Sequence, residues 1–145
     1  ISNGDHYTKD SLVVIPDSNY NGVLEVGSVV SDGELNSEMY DLFITVSPVN
    51  DAPYFVNCPD TLVFSENFED TSFVLADSTD GFFWDYDIQY GDSLDITVNM
   101  DDDSLFLFNI ENNYLNLSSI PFENGTADLS IMATDTSGEM VEKDI

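Results

Sequence analysis

Pro48-Val49-Asn50-Asp51-Ala52-Pro53 divides this chain. Proline has no N–H to give a sheet ladder and fixes its own φ, and it pushes the preceding residue toward extended geometry. The hexapeptide therefore reads as a stiff, extended connector. An alternating β pattern ends just before it, at Leu42 to Val46, and another begins just after it, at Tyr54 to Val56. Its centre offers two oxygen-bearing side chains, Asn50 and Asp51.

The flanking sequence is β throughout. Leu94, Ile96, Val98 and Met100 alternate with polar residues, as do Ala127, Leu129, Ile131 and Ala133. Both patterns describe half-buried strands with one face to a core and one to water. Turn clusters punctuate them at Ser31-Asp32-Gly33, Asp101-Asp102-Asp103, Glu111-Asn112-Asn113, Glu123-Asn124-Gly125 and Thr136-Ser137-Gly138. Helical periodicity is weak everywhere. Short strands at this spacing predict an all-β sandwich. Asp101 to Asp103 reads as a solvated hairpin turn.

One pattern occurs twice. Asn21-Gly22 opens a strand with Leu24, Val26, Ser28 and Val30 inward, followed by Asp32. Asn124-Gly125 opens a strand with Ala127, Leu129, Ile131 and Ala133 inward, followed by Asp135. Gly22 and Gly125 stand 103 residues apart, and so do Asp32 and Asp135. In each copy a Gly turn leads to a second strand, Met39 to Val46 and Glu139 to Ile145. Residues 1–49 thus read as the C-terminal half of one repeat, 50–53 as a linker, and 54–145 as a second repeat whose last strand is cut short. The half-repeat is expected to be an incomplete sandwich of about four strands, open to edge pairing and to a homodimer.

Charge narrows the partners. The 145 residues carry 29 Asp+Glu against 2 Lys+Arg, a formal net charge of −27. Phosphate backbones and anionic membranes need a basic footprint that Lys9 and Lys143 do not supply. No apolar run is long enough to span a bilayer. With 42% hydrophobic residues the chain can build real cores. So many carboxylates fit two conditions: hard cations bound at sites, or an acidic surface adapted to salty surroundings. A lone cysteine, Cys58, allows no intrachain disulfide and no CxxC metal site.

These stretches resemble the tandem cadherin-like repeats of large bacterial surface and secreted proteins. The resemblance rests on Ile15-Pro16-Asp17-Ser18-Asn19-Tyr20-Asn21-Gly22 leading to Val30-Ser31-Asp32-Gly33, on Ile44-Thr45-Val46-Ser47-Pro48-Val49-Asn50-Asp51-Ala52-Pro53, on Glu69-Asp70-Thr71, and on Ala133-Thr134-Asp135-Thr136-Ser137-Gly138. It implies Ig-like Greek-key sandwich repeats of about seven strands, the first incomplete. It also implies Ca2+ at the joints. By the resemblance, the linker supplies Asn50 and Asp51, an acidic loop Asp85 and Asp87, and the late position Asp135, with Asp32 its counterpart. The early acids are Glu66, Glu69 and Asp70, which would serve the next joint. In the family the acidic loop runs directly into its strand. Here Ile88-Gln89-Tyr90 intervenes, which argues against Asp92 as a ligand of the same ion.

The implied function is non-catalytic: a calcium-rigidified adhesion or spacer module of a larger extracellular protein, working beside other repeats of that protein. The stretch Gly81 to Tyr90 holds five aromatics and supports an alternative, a carbohydrate-binding or accessory module of a secreted polysaccharide-degrading enzyme. Against that, Phe83 or Trp84 is expected to anchor the core. His6 is the chain's one histidine and lacks a zinc partner. Asn116-Leu117-Ser118 and Asn124-Gly125-Thr126 match glycosylation sequons by form alone.

Overall fold

A computed structural model describes residues 4–145 and shows an all-β chain of two compact units, Ile1–Val49 and Asn50–Ile145. Residues 1–3, which fall in the predicted half-repeat, lie outside the described residues. The first unit holds β1 (Tyr7–Asp10), β2 (Val13–Pro16), β3 (Gly22–Ser28) and β4 (Tyr40–Val46) as two antiparallel hairpins. Its core is small, with Tyr7, Leu24 and Val26 buried and Val14, Tyr20, Ile44 and Val46 packed around them. Val30, read as inward-facing, lies beyond the end of β3 and is 75% exposed. The Ser31↔Asn36 bridge closes the loop there and turns that side chain outward.

The second unit holds β5 (Tyr54–Phe55), β6 (Thr71–Val74), β7 (Phe83–Trp84), a 3-10 helix (Tyr86–Tyr90), β8 (Asp95–Met100), β9 (Phe106–Glu111), β10 (Tyr114–Ser119), β11 (Leu129–Thr134) and β12 (Met140–Asp144). Two three-stranded sheets form, ordered β6-β10-β9 and β12-β11-β8. They share one core, as in a β-sandwich. Leu115 and Leu117 come from one sheet, Leu129, Ile131 and Ala133 from the other, and Leu75, Phe82 and Phe83 from the segment between β6 and β7. Alternation explains this: β11 buries every second residue and leaves the others half-buried on the opposite face.

Asp101-Asp102-Asp103 is not a hairpin turn. β8 pairs with β11 and β9 pairs with β10, so this turn carries the chain from one sheet to the other. The two-residue hairpin lies instead at Asn112-Asn113, between Glu111 and Tyr114. Both asparagines have positive φ, 52° and 68°. Asn tolerates that region better than most residues.

Asn113 also fixes the segment that leads to β7. Its side chain accepts from the Ala76 N–H at 2.9 Å and donates to the Ala76 carbonyl at 2.8 Å, and its carbonyl accepts from the Leu75 N–H at 2.9 Å. Further along, any side chain at Gly81 would run into the Asp77 backbone nitrogen. Gly81 therefore permits the close approach that lets Phe82 and Phe83 turn inward. Asn113→Ala is expected to cost about 2 kcal/mol, since it strands the Ala76 amide and strains the turn. Asn113→Gly should recover only the strain component; urea unfolding of both variants checks the split.

Candidate metal centre

β7 delivers Asp85 to the end of the core. The Phe83 N–H donates to the Leu75 carbonyl at 2.8 Å, and the Phe83 carbonyl accepts from the Asp77 N–H at 3.1 Å. Phe83 is fully buried, and Asp85, two residues on, is 0% exposed. Asp85 caps the 3-10 helix, its Oδ1 accepting from the Asp87 N–H at 2.7 Å. Its Oδ2 is buried and accepts no hydrogen bond.

The intervening residues Ile88-Gln89-Tyr90 form one helical turn. Gly91, at φ 104°, reverses the chain after it, and the Asp92 N–H donates to the Asp87 carbonyl at 3.1 Å. This turn returns Asp92 to Asp85, so the insertion does not carry it away from the other acids. Asp92 Oδ1 accepts from the Ser93 N–H at 2.6 Å, the Thr136 N–H at 3.2 Å and the Thr136 hydroxyl. Its Oδ2, like that of Asp85, is buried and accepts nothing.

Asp135 completes the cluster from the end of β11. Because Asp95 pairs with Thr134, the residues just before β8 and just after β11 are neighbours. Asp135 is 5% exposed, and its Oδ1 accepts from the Glu139 N–H at 2.8 Å. Asp85, Asp92 and Asp135 each offer a carboxylate oxygen, and all three lie within 4.8 Å of one another.

The connector docks on the same loops. The Asn50 amide donates to Asp135 Oδ2 at 2.8 Å and to Glu139 Oε2 at 3.1 Å, and its oxygen accepts from the Ser137 hydroxyl at 2.9 Å. The Asp51 N–H donates to Asp87 Oδ2 at 2.7 Å. Asp87 thus holds the connector backbone and stands outside the trio. The sequence marked Thr136 and Ser137 as a turn and Glu139 as the start of a strand, but gave none of them a role at this site.

The early acids are elsewhere. Glu66 lines a groove with Leu129, and the Glu69 carbonyl accepts from the Thr71 hydroxyl at 2.8 Å. Asp70 directly precedes β6. The trio lies beside Thr134, at the other end of β11, about 17 Å from Leu129 at strand rise. Asp32 is also apart: its Oδ1 accepts from the Glu34 and Leu35 N–H groups at 3.0 and 2.8 Å. Of the aromatic stretch, Phe82 and Phe83 enter the core, Trp84 is half-buried and pairs with Tyr54, and Tyr86 and Tyr90 face solvent. The His6 ring stacks on Tyr20, with centroids 4.7 Å apart.

The electrostatics are those of clustered, partly desolvated like charges. Burial pushes the Asp85 carboxyl above the usual carboxylate range, and Asp87, Asp92 and Asp135 add repulsion. The Thr136 hydroxyl, ahead of the Ser93 and Thr136 amides, holds Asp92 below that range. Lys143, the one Lys or Arg of this unit, is spent on Asp60 at 2.7 Å and the Cys58 carbonyl at 3.1 Å. Three clustered carboxylates with two unpartnered oxygens could hold a metal ion. An all-oxygen donor set suits hard cations rather than zinc or copper.

Among the described residues no helix is long and apolar enough to cross a membrane. No protein-family model, no curated protein and no solved structure matches this chain.

Removing one charge from the trio should relieve repulsion while destroying the site. Asp85→Asn keeps an oxygen for the Asp87 N–H. In metal-free buffer it is expected to raise the melting temperature by about 4–8 °C, the equivalent of about 1 kcal/mol in a domain of this size. It should abolish any stabilisation by added divalent cations; scanning calorimetry with and without metal reads both effects.

Proposed function

We propose that this chain is a calcium-rigidified adhesion or spacer segment of a larger extracellular protein, built from cadherin-like Ig-type repeats. The carrying observation is the pair of buried, unpartnered oxygens on Asp85 and Asp92 beside Asp135. Calcium takes six to eight oxygens in adaptable geometry, which suits carboxylates drawn from separate loops. Asn50 and Asp51 are tied to Asp135 and Asp87, so an ion that fixes these acids also stiffens the connector where it enters the second unit.

The repeat supplies further support. Adding 103 to both members of Ser28↔Tyr40 gives Ile131↔Lys143, and both pairs are in register. The two hairpins share one alignment, as expected of copies of one unit.

Calcium is expected to stabilise the second unit by about 2.7 kcal/mol at one hundred times its dissociation constant. EDTA should reverse the gain. Asp92→Asn and Asp135→Asn should lose the response, while Glu66→Gln, Glu69→Gln and Asp70→Asn keep it. Absence of a calcium-dependent shift in the unmutated chain would remove the mechanism.

The open face of the first unit adds a second copy as partner, because Tyr40 is 72% and Leu42 47% exposed on the face of β4 that Ile44 and Val46 share. Sedimentation velocity should show concentration-dependent dimers, weakened by Leu42→Lys. A monomer at every concentration removes this partner.

A further inference from the structure

β9 forms an edge of its sheet, and its stretch Phe106-Leu107-Phe108-Asn109-Ile110 carries no charge, proline or glycine. Natural proteins commonly guard such edges with charges, prolines or bulges. The other edges of the second unit's two larger sheets are guarded or partly used. β12 presents Glu142, Lys143 and Asp144, and β6 gives its Val74 carbonyl to the Phe82 N–H. β8 runs between Asp95 and Asp101.

The direction of the free backbone groups on β9 follows from its neighbours. The Leu75 N–H donates to the Asn113 carbonyl, so odd-numbered residues of β10 bond toward β6 and even-numbered ones toward β9. Asn116↔Asn109 and Ser118↔Leu107 are then hydrogen-bonded pairs. Phe106, Phe108 and Ile110 alternate with these and point their N–H and C=O groups away from the sheet. Among the described residues no strand meets them. Side chains divide the other way. Phe106 and Phe108 pack against the core, while Leu107 and Asn109 are exposed on the outer face, Leu107 by 59%. The paired positions of that face hold Ser72, Val74, Tyr114, Asn116 and Ser118 beside Leu107 and Asn109, with one acid, Glu111, at a corner.

We propose that β9 pairs antiparallel with β9 of a second copy, about a twofold axis through Phe108, so that the two three-stranded sheets join into one. The sequence is self-complementary in that register. Phe108 meets its own copy and Phe106 meets Ile110, which gives about six backbone hydrogen bonds. Leu107 faces Asn109 in the non-hydrogen-bonded pair between them, and Glu111 faces Leu105, so no acid opposes an acid. The same operation on β8, centred on Val98, sets Asp95 against Asp101. Twofold pairing also occupies both β9 edges at once and leaves neither to propagate. This surface belongs to the second unit and needs no calcium, so it is distinct from the dimer face on β4.

The test uses the full chain with Cys58→Ser and Leu42→Lys, in EDTA and in salt that screens the net charge of −27. One preparation adds Leu107→Cys and another Asn109→Cys, both at exposed positions. Facing Cα atoms of a non-hydrogen-bonded pair stand about 4.5 Å apart, within disulfide reach. In a glutathione redox buffer the mixed preparations should yield at least about fivefold more cross-linked dimer than either alone, where the sulfurs sit out of register. In the parent chain without added cysteines, raising the concentration about tenfold should slow exchange of the Phe106, Phe108 and Ile110 amides at least about threefold, and leave Ile96 and Val98 unchanged. Equal cross-linking in mixed and separate preparations overturns the proposal, as does β9 exchange that ignores concentration. Slowing at Ile96 and Val98 instead assigns the contact to β8 and also overturns it.

Discussion

The burial of Phe83 sets the geometry of the second unit's acidic end. Its ring has no exposed surface, and the backbone on either side is held by the Leu75, Asp77 and Val74 hydrogen bonds. A strand so held alternates rigidly, so Asp85 must follow Phe83 to the same side and out of water. A lone carboxylate could not be kept ionised there without compensation. Compensation is only partial: one oxygen caps the 3-10 helix, and the other faces Asp92 and Asp135. Core packing thus creates an electrostatic deficit that a bound cation would fill.

The rest of the chain treats its acids differently, and the contrast separates a site from a merely acidic surface. Asp77 accepts from the Thr79 hydroxyl and from the Thr79 and Asp80 amides, Asp102 from the Ser104 amide, and Asp32 from the Leu35 and Glu34 amides. Each is exposed or at a turn, and each is held below the usual carboxylate range by these donors. Such residues shape loops, and solvent screens their charge. Asp85 has one donor, no solvent and three acidic neighbours, and its carboxyl moves the opposite way.

Sequence periodicity revealed the strands because alternation in β8 and β11 follows directly from a sheet with one buried face. The family resemblance, not periodicity, grouped Asp85, Asp135 and Asn50 at one place. The insertion before Asp92 looks like a spacer in sequence until the chain coils it into a helical turn and Gly91 reverses it. The sequence misassigned Asp101 to Asp103 because a turn signal does not say whether the next strand stays in the same sheet. Glu66, Glu69 and Asp70 were read as acids of the next joint, and the structure leaves them apart from the trio. Tertiary closure decides these points, and no local pattern encodes it.

The two hairpins show how backbone register and site chemistry separate. Asp32 and Asp135 hold the same place, each following its strand and each accepting from a backbone N–H of the loop that it closes. Gly33 and Gly138 both take positive φ, 94° and 91°. Yet Asp135 is 5% exposed and faces two further acids, while Asp32 is spent on its own loop. The difference comes from the loop that carries Asp85 and Asp92, whose side chains close over Asp135 and have no counterpart beside Asp32 among the described residues. The hairpin itself is specified by alternation and a glycine turn, which tolerate many side chains. The carboxylate cluster, which could hold a cation, needs three segments brought together from far apart in sequence, so it depends on a complete core behind it.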